Sequence, residues 1–357
     1  RMADRGLINV PADELRSHAV RTAEFLIRYA FLDSGEVAYL LTGDGAMKEF
    51  LPGKGHDLSF YGDGFVILAM SALARATREE RYLKKAVTIY EGVRMRLANG
   101  TVRSEPYPLP PRHRAHGWPM IMLNVAQELA RAARDLGDDR HRNFSAHADA
   151  DMAEVMERFV RPDGLVNEVT SDDGVPSLLT RHVTPGHAIE SMWFVIEQAQ
   201  VGGNDAVVDA ARRVMSRSLE AGWDHDHGGI FRYVDPTEHD RQPRGEPRGP
   251  FEALILDTWD TKIWWPHSEA LYAALLGEAL APGAHADEHD LVFDYAFRTF
   301  PNPDATIGEW IQVHDRKGHP LDKVVGLPVK DPYHLNRNLL LIIELLAEGL
   351  ESRTTNA

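Results

Sequence analysis

Three histidines of this chain stand where a helix is predicted to begin, each one or two residues after a proline. They are His187, His267 and His334. Proline suits the first turn of a helix, so we expect these side chains at helix starts. Histidine titrates nearest neutrality, and two histidines that face each other can act as base and acid. One such histidine is more often structural, but three together predict an acid–base site if the helix starts share one mouth.

The helix start around His267 also carries aromatic and acidic residues. Residues 261–275 read TKIWWPHSEALYAAL, with Trp264 and Trp265 before the proline and Glu269 inside the predicted helix. Aromatic faces beside polar groups suit a sugar ring, whose C–H face packs on indole. The two tryptophans would serve equally well as a large aromatic pair in the core, so both interpretations stay open.

Two polar segments raise the question of further sites. In GWDHDHGG, residues 222–229, four side chains could act as metal ligands: Asp224, His225, Asp226 and His227. No second ligand cluster has a fixed spacing to them, which favours a polar turn closed by the Gly-Gly pair. The segment 111–119 contains His113 and His116 among basic residues. We interpret it as a loop before a helix that could help to line a cleft.

The elements that must position these residues are mainly helical. Apolar residues recur at helical spacing in about ten segments. The first is residues 12–31, and the others lie near 59–76, 81–98, 118–134, 147–160, 187–200, 205–221, 265–280, 287–299 and 334–349. Between them, turn chemistry marks hairpins or turns. The marker glycines are Gly45, Gly100, Gly164, Gly229 and Gly308. Two helices fit between successive marker glycines. Repeated helical pairs of this kind either stack into an open solenoid or close into a ring, and the pattern alone does not decide between the two.

Composition limits the function classes. The chain has 357 residues, 43% of them hydrophobic, and a formal charge of −15, which argues against nucleic-acid or anionic-membrane partners. The absence of cysteine excludes thiol catalysis and iron–sulfur clusters. Nucleotide fingerprints and the HExxH and GxSxG motifs are also missing.

No apolar run approaches roughly 18 residues, so we expect a soluble, cytoplasmic protein without a membrane partner. The polar segment 235–250 is the expected flexible loop, a lid or an exposed connection.

Four motifs in order carry a family resemblance. They are TPGHAIESMWF (184–194), GWDHDHGGIF (222–231), KIWWPHSEAL (262–271) and VKDPYHLNRNLL (329–340). The chain from about residue 15 to 345 resembles the N-acylglucosamine 2-epimerase family, whose relatives include cellobiose 2-epimerases and mannose or sulfoquinovose aldose–ketose isomerases. The resemblance implies one all-α domain over 1–357, an (α/α)6 barrel with short β-hairpins at one end. About ten predicted helices would then mean that the N-terminal helical pair, with its substrate-binding arginine, is lacking.

The resemblance also implies a chemistry for the histidines. His187 and His334 would be the catalytic pair that moves a proton at the carbon beside the carbonyl of an open-chain sugar, with neither metal nor other cofactor. Return of the proton to the opposite face of that carbon gives the 2-epimer. Glu190 matches the family glutamate that orients the substrate or a histidine, and Tyr61 matches a site tyrosine.

Further residues complete the predicted sugar site. The cellobiose and mannose branches carry an additional histidine where this chain has Met122 and Asn124, and this difference favours an N-acylglucosamine or N-acylmannosamine substrate. An oxyanion forms during proton removal and needs a donor. The arginine of the lacking N-terminal pair would be the natural donor, and His267, Arg181 and Lys262 are the substitutes that this chain offers. The full set of predicted substrate-binding residues is Glu190, Tyr61, Trp264, Trp265, His267, Asn124, Arg181 and Lys262.

Other functions remain open at this point. An aldose–ketose isomerase would use the same histidines and return the proton to the adjacent carbon. A glycoside hydrolase or lyase would need two carboxylates that flank the bond, and none of the available acids forms a recognisable pair. Those acids are Asp63, Glu190, Glu269 and Glu309. An inactive sugar-binding relative is a further alternative. The assembly state, including a homodimer, is left open.

Overall fold

The computed structural model describes residues 9–323 and 332–355, together with residues 2 and 6. Backbone contacts divide the chain into two compact units, one formed by residues 1–111 and 118–153 and the other by 112–117 and 154–357. The prediction of a single domain over 1–357 stays a prediction. Residues 329–331 of the last motif lie outside the described residues.

The first unit is built from helices. They are α1 (Ala12–Tyr29), α2 (Phe60–Thr77), α3 (Glu80–Ala98), α4 (Gly117–Asp135) and α5 (His141–Glu154), the last two reaching the unit boundary at one end. Helix α2 is apolar along most of its surface and is largely buried, whereas α3 buries one face and exposes charged residues on the other. This difference is expected when an inner helix packs against an outer one. Arg94 of α3 donates from Nη1 to Asp151 of α5 at 2.8 Å.

The second unit alternates short strands with helices. Its elements are β1 (His113–Ala115), β2 (Val169–Ser171), α6 (Leu178–Arg181), α7 (Pro185–Val201), α8 (Asp205–Gly222), α9 (Pro250–Thr258), β3 (Lys262–Ile263), α10 (Trp264–Leu280), α11 (Ala286–Thr299), β4 (Val313–His314) and α12 (Arg337–Thr355). Two single π-helical turns, Val155–Phe159 and Pro332–Asn336, precede β2 and α12.

Helices α7 and α10 form the buried layer of this unit. Most residues of both helices are buried, and the two helices pack against each other. Helices α8 and α11 pack on α7 and α10 respectively, and they are amphipathic, with exposed charged faces. Apolar residues all around a helix therefore mark the inner layer here. His187 and His267 lie in the first turns of α7 and α10, whereas His334 lies in the π-helical turn before α12.

Gly186 explains how the starts of α7 and α10 come together. A Cβ atom at this position would lie 2.8 Å from Pro266 Cβ and 2.8 Å from Trp265 Cη2, closer than real side chains approach. Pro185 supplies the first residue of α7, where its missing N–H costs nothing. The Pro-Gly pair thus begins α7 and allows its first turn to contact the first turn of α10.

The strands form two antiparallel pairs. In the first, Ala115 pairs with Val169, and in the second, Ile263 pairs with Val313. Isolated bridges close the predicted turns around four of the marker glycines, for example between Trp223 and Ile230. All five marker glycines have positive φ, as such turns require.

The ten predicted helices are found with boundary shifts of up to six residues, and the pattern missed two short helices. Helix α6 is a single turn and α9 has nine residues, both too short for a clear period. In the polar segment 235–250, Arg241 Nη1 donates to the carbonyls of residues 220, 221 and 223. The flexibility of this segment stays a prediction. Within the described residues, no helix has the length and apolar character needed to cross a membrane.

Candidate active site

His187 is the third residue of α7 and is held by a buried carboxylate. Its Nδ1 lies 2.9 Å from Oε1 of Glu168, the residue directly before β2. The side chain of Glu168 is 7% exposed, whereas that of His187 is 33% exposed. An ionised carboxylate can only accept a hydrogen bond, so Nδ1 is the donor. Nε2 is therefore the nitrogen that can take up or release a substrate proton.

His334 repeats this arrangement with a different carboxylate. It lies in the π-helical turn before α12, and its Nδ1 is 2.7 Å from Oε1 of Glu269 on α10. The second carboxylate, that of Glu190, lies 3.8 Å from the same nitrogen. The side chain of His334 is partly exposed, and both glutamates are buried. Each predicted catalytic histidine thus has its Nδ1 on a buried carboxylate.

A single indole connects the two histidines. The Trp265 ring centre is 5.0 Å from that of His187 at an interplanar angle of 30°, and 5.1 Å from that of His334 at 31°. The separation of the two imidazoles therefore cannot exceed the sum of these distances. Trp265 is half-buried, so the three rings together form a partly exposed surface.

Arg337 joins the two glutamates next to His334. Its Nη2 donates to Oε1 of Glu269 at 2.8 Å and to Oε1 of Glu190 at 3.2 Å. Trp193 donates from its indole nitrogen to the other oxygen of Glu269 at 2.8 Å. Both oxygens of Glu269 are therefore occupied, and its carboxylate is fixed from three sides.

The surroundings shift the pKa values of Glu190 and Glu269 in opposite directions. Burial raises the pKa of Glu190, and repulsion from Glu269 adds to the effect. Burial would also raise the pKa of Glu269, but Arg337 and His334 outweigh it and lower the pKa to about 2. For a carboxylate pair that shares one cation, this means that Glu269 keeps its charge and Glu190 is the first to accept a proton.

The pair formed by Glu168 and His187 shows the same coupling. Burial opposes the charge of Glu168, but His187 outweighs it and the pKa of Glu168 falls to about 2. Burial likewise opposes the charged form of His187, yet the charge and hydrogen bond of Glu168 raise its pKa. Both shifts favour the ionised pair, so the hydrogen bond is charge-assisted whenever His187 carries its second proton.

One cluster has the donor set of a cation site. Glu190, Glu269 and His334 each offer one ligand atom, and these atoms lie within 4.8 Å of one another. Arg337 already donates to both carboxylates, so a guanidinium supplies the positive charge between them. In the other segment that raised a metal question, Asp224 Oδ1 accepts from the backbone nitrogens of Asp226 and His227, which is the favoured polar turn.

The three residues named as oxyanion donors all bond inside the protein. Lys262 is fully buried and donates to Asp224 Oδ2 at 3.1 Å and to the carbonyl of residue 229 at 3.2 Å. Nε2 of His267 accepts from the backbone nitrogen of Ile230 at 2.9 Å, and its Nδ1 donates to the carbonyl of Ile263 at 2.7 Å. Arg181 donates to the carboxylate of the buried residue 235 at 3.1 Å. The arginine beside His334 is Arg337, which the sequence interpretation had not singled out.

The remaining predicted residues are distributed over the two units. Trp264 is buried and lines a cavity of about 420 Å³ together with Glu309 and Trp310. Tyr61 and Asn124 belong to the first unit, Tyr61 half-buried at the start of α2 and Asn124 buried within α4. Their part in substrate binding stays a prediction.

Sequence reasoning missed three residues of the site or their roles. Arg337 follows His334 by three positions, a spacing that places both on one side of a helical turn, and this signal was available. Glu269 was considered only as an acid for bond hydrolysis. Glu168 lies in a turn with no distinguishing pattern, and its partner His187 is 19 positions away in the chain. Only the folded chain shows that these two residues meet.

Comparisons with known proteins agree with this architecture. A D-mannose isomerase structure superimposes with a TM-score of 0.73 at 16% identity, covering 96% of this chain and 83% of its own. The cellobiose 2-epimerase from Spirochaeta thermophila gives 0.69 at 17% identity, covering 92% and 79%. The fold is that of the (α/α)6-barrel carbohydrate epimerases and isomerases, as the resemblance implied.

The particular family follows from the sequence match. The family model described as N-acylglucosamine 2-epimerase matches residues 45–337, and the chain belongs to this family. The N-acylglucosamine 2-epimerase of Mus musculus is 26% identical over 361 residues, which covers 95% of this chain and 77% of the relative. Sugar 2-epimerisation is the activity that the family supports.

Proposed function

We propose that this protein interconverts 2-epimeric N-acyl amino sugars without a cofactor, with His187 and His334 as the acid–base pair. The observation that carries the proposal is the Trp265 indole, which contacts both imidazoles while each imidazole is oriented by its own carboxylate. Two bases beside one aromatic surface can reach opposite faces of one carbon. Hydrogen-bond reach is the first requirement for general acid–base catalysis.

The reaction is a proton exchange at carbon 2. Nε2 of one histidine takes the proton from carbon 2 of the open-chain sugar, and the electron pair of that C–H bond moves toward the carbonyl oxygen. The other histidine, protonated at the start, delivers its proton to the opposite face as the carbonyl re-forms. Because each step transfers one proton, the redox state of the sugar is unchanged. Arg337, which donates to the carboxylate that holds His334, would stabilise the transient negative charge.

The substrate class rests on two supports. The mouse relative carries the name N-acylglucosamine 2-epimerase, and the chain has Met122 and Asn124 where other branches have a histidine. Hydrolysis is disfavoured because the two close carboxylates, Glu190 and Glu269, are buried and already bonded to Arg337. A glycosidase must present both of its carboxylates to the scissile bond.

The test is incubation with N-acetylglucosamine, N-acetylmannosamine, glucose, mannose and cellobiose in deuterated water, followed by NMR. We expect the 2-epimer of an N-acyl amino sugar with deuterium at carbon 2. His187→Ala and His334→Ala should each abolish both product and exchange, whereas His319→Ala, at an exposed histidine, should behave as the native protein. A ketose product would instead indicate an isomerase. Turnover by the native protein without deuterium incorporation would contradict the proton-transfer mechanism.

A further inference from the structure

Glu168 is buried and lies between two histidines, His187 and His116. Its Oε1 accepts from His187, and its Oε2 lies 4.0 Å from Nδ1 of His116. Nε2 of His116 forms a 3.0 Å hydrogen bond with Oγ of Ser191, which lies one turn after His187 on α7. The chain of contacts therefore leaves α7 at His187 and returns to the same face of α7 at Ser191.

The paired strands hold this network in place. His116 directly follows β1 and Glu168 directly precedes β2, and the His116 backbone nitrogen donates to the Glu168 carbonyl at 2.9 Å. The neighbouring pair is Ala115 with Val169. Since a sheet fixes register to one residue, it also fixes where the Glu168 carboxylate stands relative to α7.

The charge around Glu168 differs from that around the other acid of the site. Among the described residues, Glu168 forms ion pairs only with the histidines His187 and His116. Glu269 pairs with a histidine and, in addition, with Arg337. Burial lowers the pKa of His116 to about 4, so this ring is neutral near pH 7. His187 is then the partner that compensates the charge of Glu168.

We infer that Glu168 is a positioning residue for His187: it fixes the tautomer that leaves Nε2 toward the sugar and favours the protonated imidazole. This inference rests on the proposed function, because it gives a residue outside substrate contact a role in the same proton exchange. The other charged groups that act on His187 are Glu190, which also favours its charged form, and Arg232, which opposes it. Of these three charged residues, Glu168 is the one that forms a hydrogen bond with the ring, at 2.9 Å.

The first measurement does not depend on turnover. Histidine side chains labelled with ¹⁵N report the tautomer and the titration of His187 by NMR in the native protein and in Glu168→Gln. We expect the variant to titrate lower by about one pH unit, the smaller end of the range for a neighbouring charge. We also expect it to lose the preference for a proton on Nδ1. An unchanged tautomer and an unchanged titration would overturn the inference.

The second measurement is the pH dependence of kcat/KM. The part of the pH–rate profile that reports the titration of His187 (its limb) should move to lower pH in Glu168→Gln. Glu168→Asp keeps the charge, so this limb should stay near its native position while kcat is reduced. Glu288→Gln is the matched control, because Glu288 forms a similar 2.8 Å contact with the buried His285 far along the chain, and it should change neither kcat nor the profile.

The two proposals can fail separately. If no sugar exchanges deuterium, the proposed function fails while the NMR titration still shows whether Glu168 governs the proton on His187. If exchange requires His187 but Glu168→Gln leaves the limb in place, the function stands and Glu168 has only a structural role. A folded Glu168→Asp protein keeps the comparison possible if the glutamine variant does not fold.

Discussion

His334 and Glu269 meet through a 2.7 Å contact between Nδ1 and Oε1, although 65 positions separate them in the chain. The imidazole comes from a π-helical turn and the carboxylate from an inner helix. Arg337 and Trp193 donate to the same carboxylate, so the group that orients the ring of His334 is itself held by two further hydrogen bonds. A fixed second partner is what a histidine needs to act as a directed base or acid.

Removing the charge of Glu269 should therefore impair chemistry more than binding. In Glu269→Gln we expect kcat to fall by about 10²- to 10⁴-fold, the range of a general acid–base contribution, with KM changed little. Initial rates by NMR would measure both. Glu197→Gln, on α7 but bonded to Tyr272 instead, should keep native rates. An equal loss in both variants would show that the effect is not specific to the His334 partner.

Trp265 should be needed as a surface for both histidines. Trp265→Ala removes the ring that each imidazole contacts, and we expect a lower kcat together with a higher KM, because the histidines lose their alignment and the sugar loses an aromatic face. Trp265→Phe retains a flat apolar ring and should recover part of the activity. Steady-state kinetics of the two variants, measured side by side, would distinguish this role from simple core packing, for which only the unfolding free energy would fall.

Gly186 should be required by the close approach of two helix starts. Gly186→Ala would place a Cβ 2.8 Å from Pro266 and Trp265, so we expect a loss of about 1–3 kcal/mol in the free energy of unfolding and a lower kcat. Gly92→Ala is the control, since Gly92 lies within α3 and its Cβ would meet no atom within 4 Å. Urea denaturation should find that variant unchanged or more stable. A native-like Gly186→Ala protein would contradict the packing argument.

The pair of Glu168 and His187 should stabilise the fold within a defined pH window. The lowered pKa of Glu168 gives stability that is present above 4.5, the ordinary glutamate value, and is lost as pH falls toward 2. The raised pKa of His187 gives stability that is present below 6.5 and is lost as pH rises through its folded value. The difference in unfolding free energy between the native protein and Glu168→Gln should thus be largest between these two values.

Urea titrations at pH 3, 5.5 and 9 (about these values) would check that window, because the linkage relation ties stability to the protons bound in each state. We expect the difference between native protein and Glu168→Gln to shrink at both outer pH values. In the same series on Glu288→Gln, the difference in unfolding free energy from the native protein should not be largest at the middle pH value. A difference that is constant across the three conditions would mean that the two groups do not titrate together.

The sequence by itself determined the helical segments and the positions of the two histidines. Helix formation depends on neighbours three and four residues away, so period and turn residues predict α7 and α10 closely. The Pro-Gly pair before His187 marks a helix start, and its glycine allows close contact with a neighbouring helix. The family resemblance assigned His187 and His334 to one proton-transfer mechanism. Helix α9 was missed because nine residues after a polar segment offer too little period to recognise.

Only the tertiary structure decided what each histidine nitrogen touches. Glu168 reaches His187 because the β1–β2 register places it there, and Glu269 reaches His334 because α10 and the turn before α12 come together. The same packing pairs Lys262 with Asp224 and places Arg337 on the carboxylate that holds His334. Hydrogen bonds act over about 3 Å and depend on direction, so residues far apart in the chain become partners only when the fold brings them to that distance.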